Sequence, residues 1–461
     1  MSHDTLLDLS RWQWALTAAM HITFPAVTVG TSVFLVICYG MYMRTDDEVW
    51  LRMFRFWRRI FGIGFALGVV SGIVLTFEFG LNWGRFAHDV GPIVGVIIAM
   101  EVVTAFFLEA GFLGLLVYGE GRIGKRMMMF STCMVSLGTL LSVTWILVAN
   151  SWMQTPDGYK EVNGQFQPTN WLHVIFNPSF GIRFVHMLVG ALIAAGWFIA
   201  GISAWYLVKR RHLPVARRGV SVTLGVLALL VPLQMFIGDN VAGGYVAKHK
   251  LPQLEAMEGN WSSTNTGENV IVVPDQGAAK NEWQVTVPWL GSAIAKDWSG
   301  HTALPGLKLT PKELRPMMLP TFYGFHLMWW SAVVMLGVAL IGIALRLRGR
   351  LYSARWFHKL LLVMVPSGIV ATWAGWVLAE TGRQPWLVYG KLLTADAVSP
   401  LEPAAVLATL VLFVLVYVGL LGTYIWYVAR VVRQGPGEGP LTEPTAPSRR
   451  PAGPPRPAPA S

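Results

Sequence analysis

Residues 92–118 read PIVGVIIAMEVVTAFFLEAGFLGLLVY, an apolar stretch that contains two carboxylates, Glu101 and Glu109. About 20 such residues suffice for a helix to cross a hydrocarbon core of about 30 Å. An ionisable side chain in that core costs at least about 2.5 kcal/mol, so it usually faces a protein interior and has a function. The stretch therefore predicts a membrane helix with a polar face. The two glutamates are eight residues apart, which places them on the same face of a helix.

Apolar stretches of this kind recur along the whole chain. Hydrophobic residues make up 54% of the 461 residues and charged residues only 13%, whereas a soluble chain carries about a quarter charged residues. The sequence therefore predicts an all-α integral membrane protein with nine transmembrane helices. They lie at about 14–42, 60–81, 92–118, 127–149, 183–207, 219–237, 321–345, 360–379 and 404–429.

Basic residues alternate between the loops and predict the orientation of the chain. The net charge of +11 lies in short loops after the odd-numbered helices, a distribution typical of membrane topology and not of nucleic-acid binding. By the positive-inside rule the N-terminus lies outside and the C-terminus in the cytoplasm. The decisive residues are Arg44, Arg52, Arg55, Arg58, Arg59, Arg122, Lys125, Arg126, Lys209, Arg210, Arg211, Arg346, Arg348, Arg350, Arg430 and Arg433.

Four regions follow from this pattern. Residues 1–237 carry helices one to six, and 321–433 carry helices seven to nine. Between them, 238–320 form a long outer loop, and loops of this length usually have a function of their own. Residues 434–461 are rich in proline and poor in apolar residues, which predicts a disordered cytoplasmic tail.

Several potential metal ligands fall at similar depth in the outer half of the membrane. They are His21, His186, His326, Met328 and Glu380, contributed by several different helices. Histidine is a common axial ligand of haem iron, so the cluster indicates bound cofactors. Plainer interpretations stay open: a buried histidine can bond a carbonyl group, a methionine can simply fill space, and Glu101 and Glu109 can be a structural pair instead of a proton relay.

The residues also resemble a known family, subunit I of cytochrome bd-type quinol oxidases, from residue 1 to about 430. The resemblance is specific because it extends over many long segments. They are RWQWALTAAMH (11–21), FGIGFALGVVSG (61–72), EVVTAFFLEAGFLGL (101–115), WILVANSWMQ (145–154), GISAWYLVKRR (201–211), KLPQLEAMEGNW (250–261), VPDQ (273–276) and AGWVLAETGRQPW (374–386).

The resemblance implies three haems near the outer face: two b-type haems and one haem d, or a third haem b in its place. His186 and Met328 match the axial ligands of the low-spin haem b, and His21 matches the ligand of the oxygen-reducing haem d. Glu380 matches the ligand of the second, high-spin haem b. In the GRQPW segment, Arg383 would neutralise propionate or carboxylate charge, and Trp386 would lie beside a haem.

The resemblance also implies an activity. Lys250 and Glu255 match functional positions of a quinol-oxidising outer loop, and Glu101 and Glu109 match acidic residues on a proton path from the cytoplasm. The expected protein is a respiratory terminal oxidase of the bacterial cytoplasmic (inner) membrane. It would oxidise ubiquinol or menaquinol, reduce oxygen to water, and generate a proton gradient without pumping. A smaller membrane subunit II is the implied partner, and a single-helix accessory subunit is left open.

The sequence departs from the family at His326, where many members have arginine two residues before the methionine ligand. Two residues apart on a helix point to different sides, so His326 is expected to tune a haem and not to replace Met328. Two other functions were weighed. A proton-coupled transporter would have repeated halves and broken helices, which the sequence lacks. A haem-bearing electron-transfer protein without oxygen chemistry would not need His21, Glu101 and Glu380.

Overall fold

The computed structural model describes residues 3–263, 267–291 and 305–437. Within these ranges nine helical segments are long and apolar enough to cross a membrane, which confirms the predicted number. The predicted disordered tail lies, from residue 438 onward, outside the described residues, as does part of the predicted outer loop. The nine segments are Asp4–Thr45, Glu48–Leu81, Gly84–Tyr118, Lys125–Gln154, Phe180–Lys209, Leu213–His249, Met318–Leu347, Arg355–Thr381 and Pro403–Gln434.

The first segment consists of two helices that meet at Phe24, where Pro25 begins the second helix. The helices in chain order are α1 (His3–Thr23), α2 (Pro25–Thr45), α3 (Glu48–Leu81), α4 (Gly84–Tyr118), α5 (Lys125–Gln154), α6 (Trp171–Ile175), α7 (Phe180–Lys209), α8 (Leu213–His249), α9 (Leu251–Met257), α10 (Met318–Leu347), α11 (Arg355–Thr381), α12 (Thr394–Ala397) and α13 (Pro403–Gln434). Short 3₁₀ turns span Leu307–Leu309 and Lys312–Leu314.

Wider π-helical turns interrupt two of the membrane helices. They span Gly91–Gly95 and Val102–Phe106 in α4 and Ile237–Gly243 in α8. Such turns are rare and are frequent at functional sites. The third one carries α8 on to His249, so the helix is longer than the predicted span of 219–237 and includes the first residues of the predicted loop.

All described strands form three antiparallel hairpins. They are β1 (Tyr159–Val162) with β2 (Gln165–Pro168), β3 (Glu268–Asp275) with β4 (Lys280–Val287), and β5 (Trp386–Val388) with β6 (Leu392–Leu393). In the longest hairpin Glu268 lies opposite Val287. Each hairpin follows an even-numbered membrane segment, so all three lie at the same end of the bundle. We call this end the loop face and the opposite end the basic face.

Helix α7 lies at the centre of the bundle and packs against α2, α5, α8 and α11. Small residues allow this close approach, as is usual where membrane helices meet. A Cβ atom built on Gly30 of α2 would lie 2.5 Å from Ala195 Cβ, and one built on Gly368 of α11 would lie 2.3 Å from Ala194 Cα. Neither position has room for a side chain.

Ion pairs fasten the helices at the basic face. Arg58 of α3 is 1% exposed and donates to Glu120, at 2.7 Å, and to the carbonyl of Leu116, at 3.0 Å. Asp47 accepts from the backbone N–H of Val49 at the start of α3 and pairs with Arg218 of α8. Hydrogen bonding to Arg218 keeps the pKa of Asp47 below its usual range. Buried arginine is thus used here to join helices.

The close contact at Gly368 gives a test of the packing. Gly368→Ala places a methyl group into the backbone of α7 and should destabilise the protein by about 1–3 kcal/mol, the usual effect of overpacking. The midpoint of thermal unfolding in detergent should therefore fall. Gly337→Ala on α10 is the control, because a Cβ there meets nothing within 4 Å. Equal midpoints for Gly368→Ala and the wild type would contradict this packing.

Candidate functional site

His186 and Met328 lie on helices that both pack against α11. The amide of Gln234 donates to the backbone carbonyl of His186 at 2.9 Å, and its nitrogen lies 3.3 Å from His186 Nδ1. A Cβ on Gly238, in the π turn of α8, would come within 3.2 Å of His186 Cε1. Likewise, a Cβ on Gly375 would lie 2.8 Å from Met328 Sδ. Each side chain therefore lies so close to a glycine that a larger residue at that position would collide with it.

His21 lies in the last turn of α1, directly before the break at Phe24. Its Nδ1 is 3.2 Å from Ser71 Oγ of α3, and that hydroxyl donates to the carbonyl of Leu67. Because Ser71 uses its proton there, its oxygen accepts the N–H of His21 Nδ1. The lone pair then lies on Nε2, the arrangement that a metal-binding histidine needs. A Cβ on Gly72 would lie 3.0 Å from His21 Cε1, so glycine again makes room.

Glu380 belongs to a partly buried group of charges at the loop face, with Arg183, Lys250 and Arg383; we call it the cationic cluster. Asn150 donates to Glu380 Oε1 at 2.8 Å, and Arg383 pairs with the other oxygen. Lys250 donates to Gln154 and lies 4.2 Å from the centre of the Tyr389 ring. The sequence predictions for Glu380, Arg383 and Lys250 thus fall together in space.

The cationic cluster has more positive than negative groups. Burial, and then the nearby Arg183 and Arg383, lower the pKa of Lys250 to about 6. Arg383 is 4% exposed, and its Nε and Nη1 have no hydrogen-bond partner among the described residues. The same holds for the indole nitrogen of Trp376. Buried donors without acceptors are costly, so this arrangement is suited to binding anionic groups such as carboxylates.

Trp386 opens β5 opposite Leu393, and its backbone N–H donates to the carbonyl of Arg383 at 3.1 Å. The indole is half-buried. Trp386 is therefore fixed next to the cationic cluster, where the sequence predicted a cofactor contact.

Glu101 and Glu109 both face α5, as expected for residues on one face of α4. Ser142 donates to Glu101 Oε1 at 2.6 Å. Glu109 is 5% exposed and packs so closely on α5 that a Cβ on Gly138 would lie 2.4 Å from its Cγ. The π turn Val102–Phe106 separates the two glutamates. They line the interface of α4 and α5 in the interior of the bundle.

Glu255 of α9 is fully buried and accepts from Thr310 Oγ1 at 3.3 Å. Burial raises the pKa of Glu255 to about 7, against the opposing effects of Thr310 and Arg315. Its Oε1 has no partner among the described residues. Unlike Lys250, it does not join the cationic cluster. Near neutral pH this carboxyl group can therefore both accept and release a proton.

A second acidic group at the loop face was missed by the sequence analysis. Glu258 and Glu268, each 7% exposed, share a hydrogen bond, and Glu268 Oε1 lies 3.5 Å from His326 Nε2. His326 Nδ1 is bonded to the carbonyl of Phe322 at 3.0 Å. The imidazole of His326 therefore faces the loop, whereas Met328 faces Gly375 of α11. Different directions are expected for residues two apart on a helix. Glu268 is far from His326 in the chain, and no sequence pattern indicated the contact.

The carboxyl groups of this pair favour their protonated forms. Burial, and then the neighbouring Glu268, raise the pKa of Glu258 well above its usual range, and burial also raises the pKa of Glu268. Two facing carboxyl groups need at least one proton between them to hydrogen-bond. Within the described residues no three His, Cys, Asp or Glu side chains are arranged to hold a metal ion by themselves. A haem iron, in contrast, needs only one or two protein ligands.

Comparisons with known proteins agree on one family. The family model of cytochrome bd terminal oxidase subunit I matches residues 9–436. Cytochrome bd ubiquinol oxidase subunit 1 of Bacillus subtilis (strain 168) is 31% identical, over 93% of this chain and 94% of its own. Cytochrome bd-II ubiquinol oxidase subunit 1 of Escherichia coli (strain K12) is also 31% identical, over 95% and 99%. The structure of bd oxidase from Geobacillus thermodenitrificans superposes with a TM-score of 0.85 at 27% identity, and the match covers 94% of this chain and 100% of that chain.

The acidic pair makes stability depend on pH. A carboxyl group whose pKa is raised by folding stabilises the protein below its unfolded pKa of about 4.3, and this contribution is lost as pH rises through the folded value. Glu258→Gln removes one of the two groups, so the thermal midpoint should fall less between pH 6 and pH 9 than in the wild type. Glu313→Gln, at an exposed loop residue, is the control and should follow the wild type. Identical pH profiles for Glu258→Gln and wild type would show that Glu258 is ionised in the folded protein.

Proposed function

The chain belongs to the cytochrome bd terminal oxidase subunit I family, and we propose how its residues carry out quinol oxidation and oxygen reduction. Members of this class are respiratory quinol oxidases, and the protein is a haem-containing membrane subunit of such an enzyme. The observation that carries the residue assignments is the cationic cluster, because its unpaired donors lie beside Glu380 at the loop face.

The low-spin haem b is assigned to His186 and Met328. Gly238 and Gly375 support this assignment, because only glycine lets the imidazole and the thioether lie directly against the helix backbones at these positions. Gln234, bonded at His186, fixes the orientation of the ring. A bound haem supplies reversible one-electron transfer, and a histidine–methionine ligand pair raises its potential. Met328 and His186 would thus hold a group suited to accepting electrons from quinol.

The two high-spin haems are assigned to His21 and Glu380. Ser71 supports the first assignment, because it fixes the proton of His21 on Nδ1 and frees Nε2 for iron. For the second, Asn150 and Arg383 hold the Glu380 carboxylate in place. The unpaired N–H groups of Arg383 would bind haem propionates as charge-assisted hydrogen-bond donors. We assign haem d, or a third haem b, to His21.

Quinol is proposed to bind at the loop face, near Glu255 and Lys250. Oxidation of quinol releases two protons, so the site needs bases. With a pKa of about 7, Glu255 accepts a proton as carboxylate, and Lys250, with a pKa of about 6, does so as neutral amine. The Glu258–Glu268 pair lies in the same loop region and can pass protons on. The loop face is proposed to lie outside, so these protons are released on the outer side of the membrane.

Protons for water formation are proposed to enter from the basic face through Glu109 and Glu101. The two side chains line the interface of α4 and α5, and the hydroxyl of Ser142 donates a hydrogen bond to Glu101. A carboxyl group there can accept a proton from one neighbour and release it to the next. Electrons and protons thus reach oxygen from opposite sides of the membrane. This separation generates a proton gradient without a pump.

The membrane and its partners follow from the family and the exposed surface. We place the protein in the bacterial cytoplasmic (inner) membrane, with the N-terminus outside. Helix α13 exposes apolar side chains such as Leu415 (66% exposed) and Val418 (67%), which suit lipid or another membrane subunit. A subunit II is the proposed partner, and a single-helix accessory subunit is compatible with such faces. The proposed substrate is ubiquinol or menaquinol.

Neither alternative function is favoured. A proton-coupled transporter would not account for the match of residues 9–436 to a terminal oxidase subunit. An electron-transfer protein without oxygen chemistry does not need a line of carboxylates between α4 and α5. The family match covers nearly all of the described residues.

The low-spin haem assignment is tested by Met328→Leu. The variant should keep the other haems, while the low-spin haem is converted toward high spin, since leucine cannot ligate iron. Absorption spectra of the reduced, purified protein measure this. Met335→Leu is the matched control, because Met335 is buried in the core of the same helix. An unchanged low-spin band in Met328→Leu would refute the assignment and make His326 the candidate ligand.

The quinol site is tested by Glu255→Gln. In the wild type, quinol turnover should rise with pH through about 7, because the carboxylate is the proton-accepting form. Glu255→Gln should lose this rise and on the order of 10²-fold in turnover, as for loss of a general base. Oxygen consumption with an artificial electron donor should stay nearly intact.

Lys250→Ala should likewise lower turnover with quinol but not with the artificial donor. Glu282→Gln, at an exposed residue of β4, is the control, and equal losses with both donors in Glu255→Gln would exclude Glu255 from the quinol site.

Proton delivery is tested by Glu109→Gln. Glutamine keeps the shape and the hydrogen bonding but cannot release a proton, so haem content should be unchanged while oxygen consumption drops. Glu48→Gln, at an exposed residue of the basic face, should keep full activity. Wild-type oxygen consumption by Glu109→Gln would rule out an obligatory relay through this residue.

A further inference from the structure

A second group of buried polar residues lies where α1, α3 and α13 meet, away from the acidic groups described above. It consists of Gln13, Thr17, Glu78 and Tyr417, and we call it the Glu78 cluster. Thr17 donates to Glu78 Oε1, and Thr409 donates to Gln13 Oε1 at 3.1 Å. All four side chains of the cluster are at most 2% exposed. The cluster therefore has no contact with the lipid or the outer water in the described part of the chain.

The Glu78 cluster has more polar atoms than partners. Gln13 lies close enough to interact with Glu78, and Thr17 with Tyr417, but no hydrogen bond of ordinary geometry reaches Glu78 Oε2, Gln13 Nε2 or Tyr417 Oη among the described residues. In the same residues no lysine, arginine or histidine lies within ion-pairing distance of Glu78. Buried polar atoms are nearly always paired, so the free positions indicate bound water. A buried carboxylate without a counter-ion is costly, and a proton removes that cost.

The cluster lies directly beside the position of His21. Thr17 precedes His21 by one turn of α1, and the ring of His21 lies against Ser71 and Gly72 of α3. Glu78 follows Gly72 by six residues, which is about 9 Å along the helix. Glu78 therefore lies between the His21 position and the loop-face end of α3.

The surroundings contain few other charges. The titratable groups that face Glu78 are Tyr417 from α13 and, toward the basic face, His21 from α1. On the other side Arg11 bonds Gln384 at 3.3 Å and pairs with Asp8 at 3.7 Å. Because Asp8 offsets the charge of Arg11, the electrostatic change relevant to Glu78 is a change of charge at the His21 position.

We propose that Glu78 takes up a proton when the haem bound by His21 is reduced and releases it when that haem is oxidised. The inference rests on the proposed binding of a haem at His21. One electron arrives at the haem, and one proton from water binds the Glu78 carboxylate, so the total charge of the region is unchanged. At about 10 Å and an effective dielectric constant of about 20, one unit of charge changes the proton affinity by on the order of tenfold. Glu78 is thus a positioning residue for protons and not a haem ligand.

Redox-difference infrared spectroscopy of the purified oxidase complex tests the proposal. Reduction of the wild type should produce a C=O band of a newly protonated carboxyl group, and Glu78→Gln should lack it. The midpoint potential of the His21 haem should fall with rising pH in the wild type. In Glu78→Gln it should depend less on pH and be higher at high pH, because no carboxylate then opposes the electron. Glu282→Gln, at the exposed position on β4, is the matched control and should keep the band and the slope.

The possible outcomes separate this inference from the proposed function. If Glu78→Gln keeps all haems, the band and the pH slope, the inference is overturned while the oxidase assignment stands. If His21→Ala keeps every haem band of the wild type, the haem assignment at His21 fails instead. Should Glu78→Gln lose haem, Thr17→Val replaces it as the test, because it removes the hydroxyl that donates to Glu78. The infrared band should then shift, and an unshifted band would overturn the inference.

Discussion

The ion pair between Arg383 and Glu380 is the interaction on which the loop-face site depends. A charged pair at the end of a membrane helix is tolerated only where further polar groups surround it. Asn150 supplies one such group from α5, and Lys250 contributes a polar group from directly before α9. The pair thus joins the end of α11 to α5 and to the loop. It also leaves arginine donors free, which gives the bundle an anion-binding centre at its loop-face end.

The same cost of burying charge explains how the protein divides its chemistry. At the basic face, Arg58 donates from both Nη atoms, to Leu116 and to Glu120, and holds helices together. At the loop face and in the interior, Glu255 and Arg383 are incompletely paired, and Glu258 retains a proton. Incomplete pairing is unfavourable for stability, but it is what a site for anionic cofactors and mobile protons requires.

Much of this arrangement could be predicted from the sequence because hydrophobic length and buried charge are local signals. Nine spans follow from apolar stretches alone, and Glu101 with Glu109 follows from helical spacing. The end of α8 was misjudged because its π turn carries Asp239 and Asn240, which lower the local hydropathy. The contact of His326 with Glu268 joins a membrane helix to a distant strand, so no local pattern encodes it.

The Glu78 cluster was missed for a related reason. Glu78 lies near the end of an apolar stretch, where a carboxylate usually reaches water, and only the packing of α1 and α13 buries it. Pairing among three helices is a property of the folded bundle. Sequence patterns therefore indicate which residues carry chemistry, whereas the fold determines which of them lack partners.

The central claim is that this one chain binds three haems at its loop-face end. Acid extraction of the purified protein, followed by chromatographic identification and quantification of the haems per polypeptide, tests it most directly. We expect three haems per chain, two of them protohaem and the third either a chlorin or a further protohaem. A reproducible content of fewer than three haems per chain, in protein that is fully active with quinol, would contradict the claim.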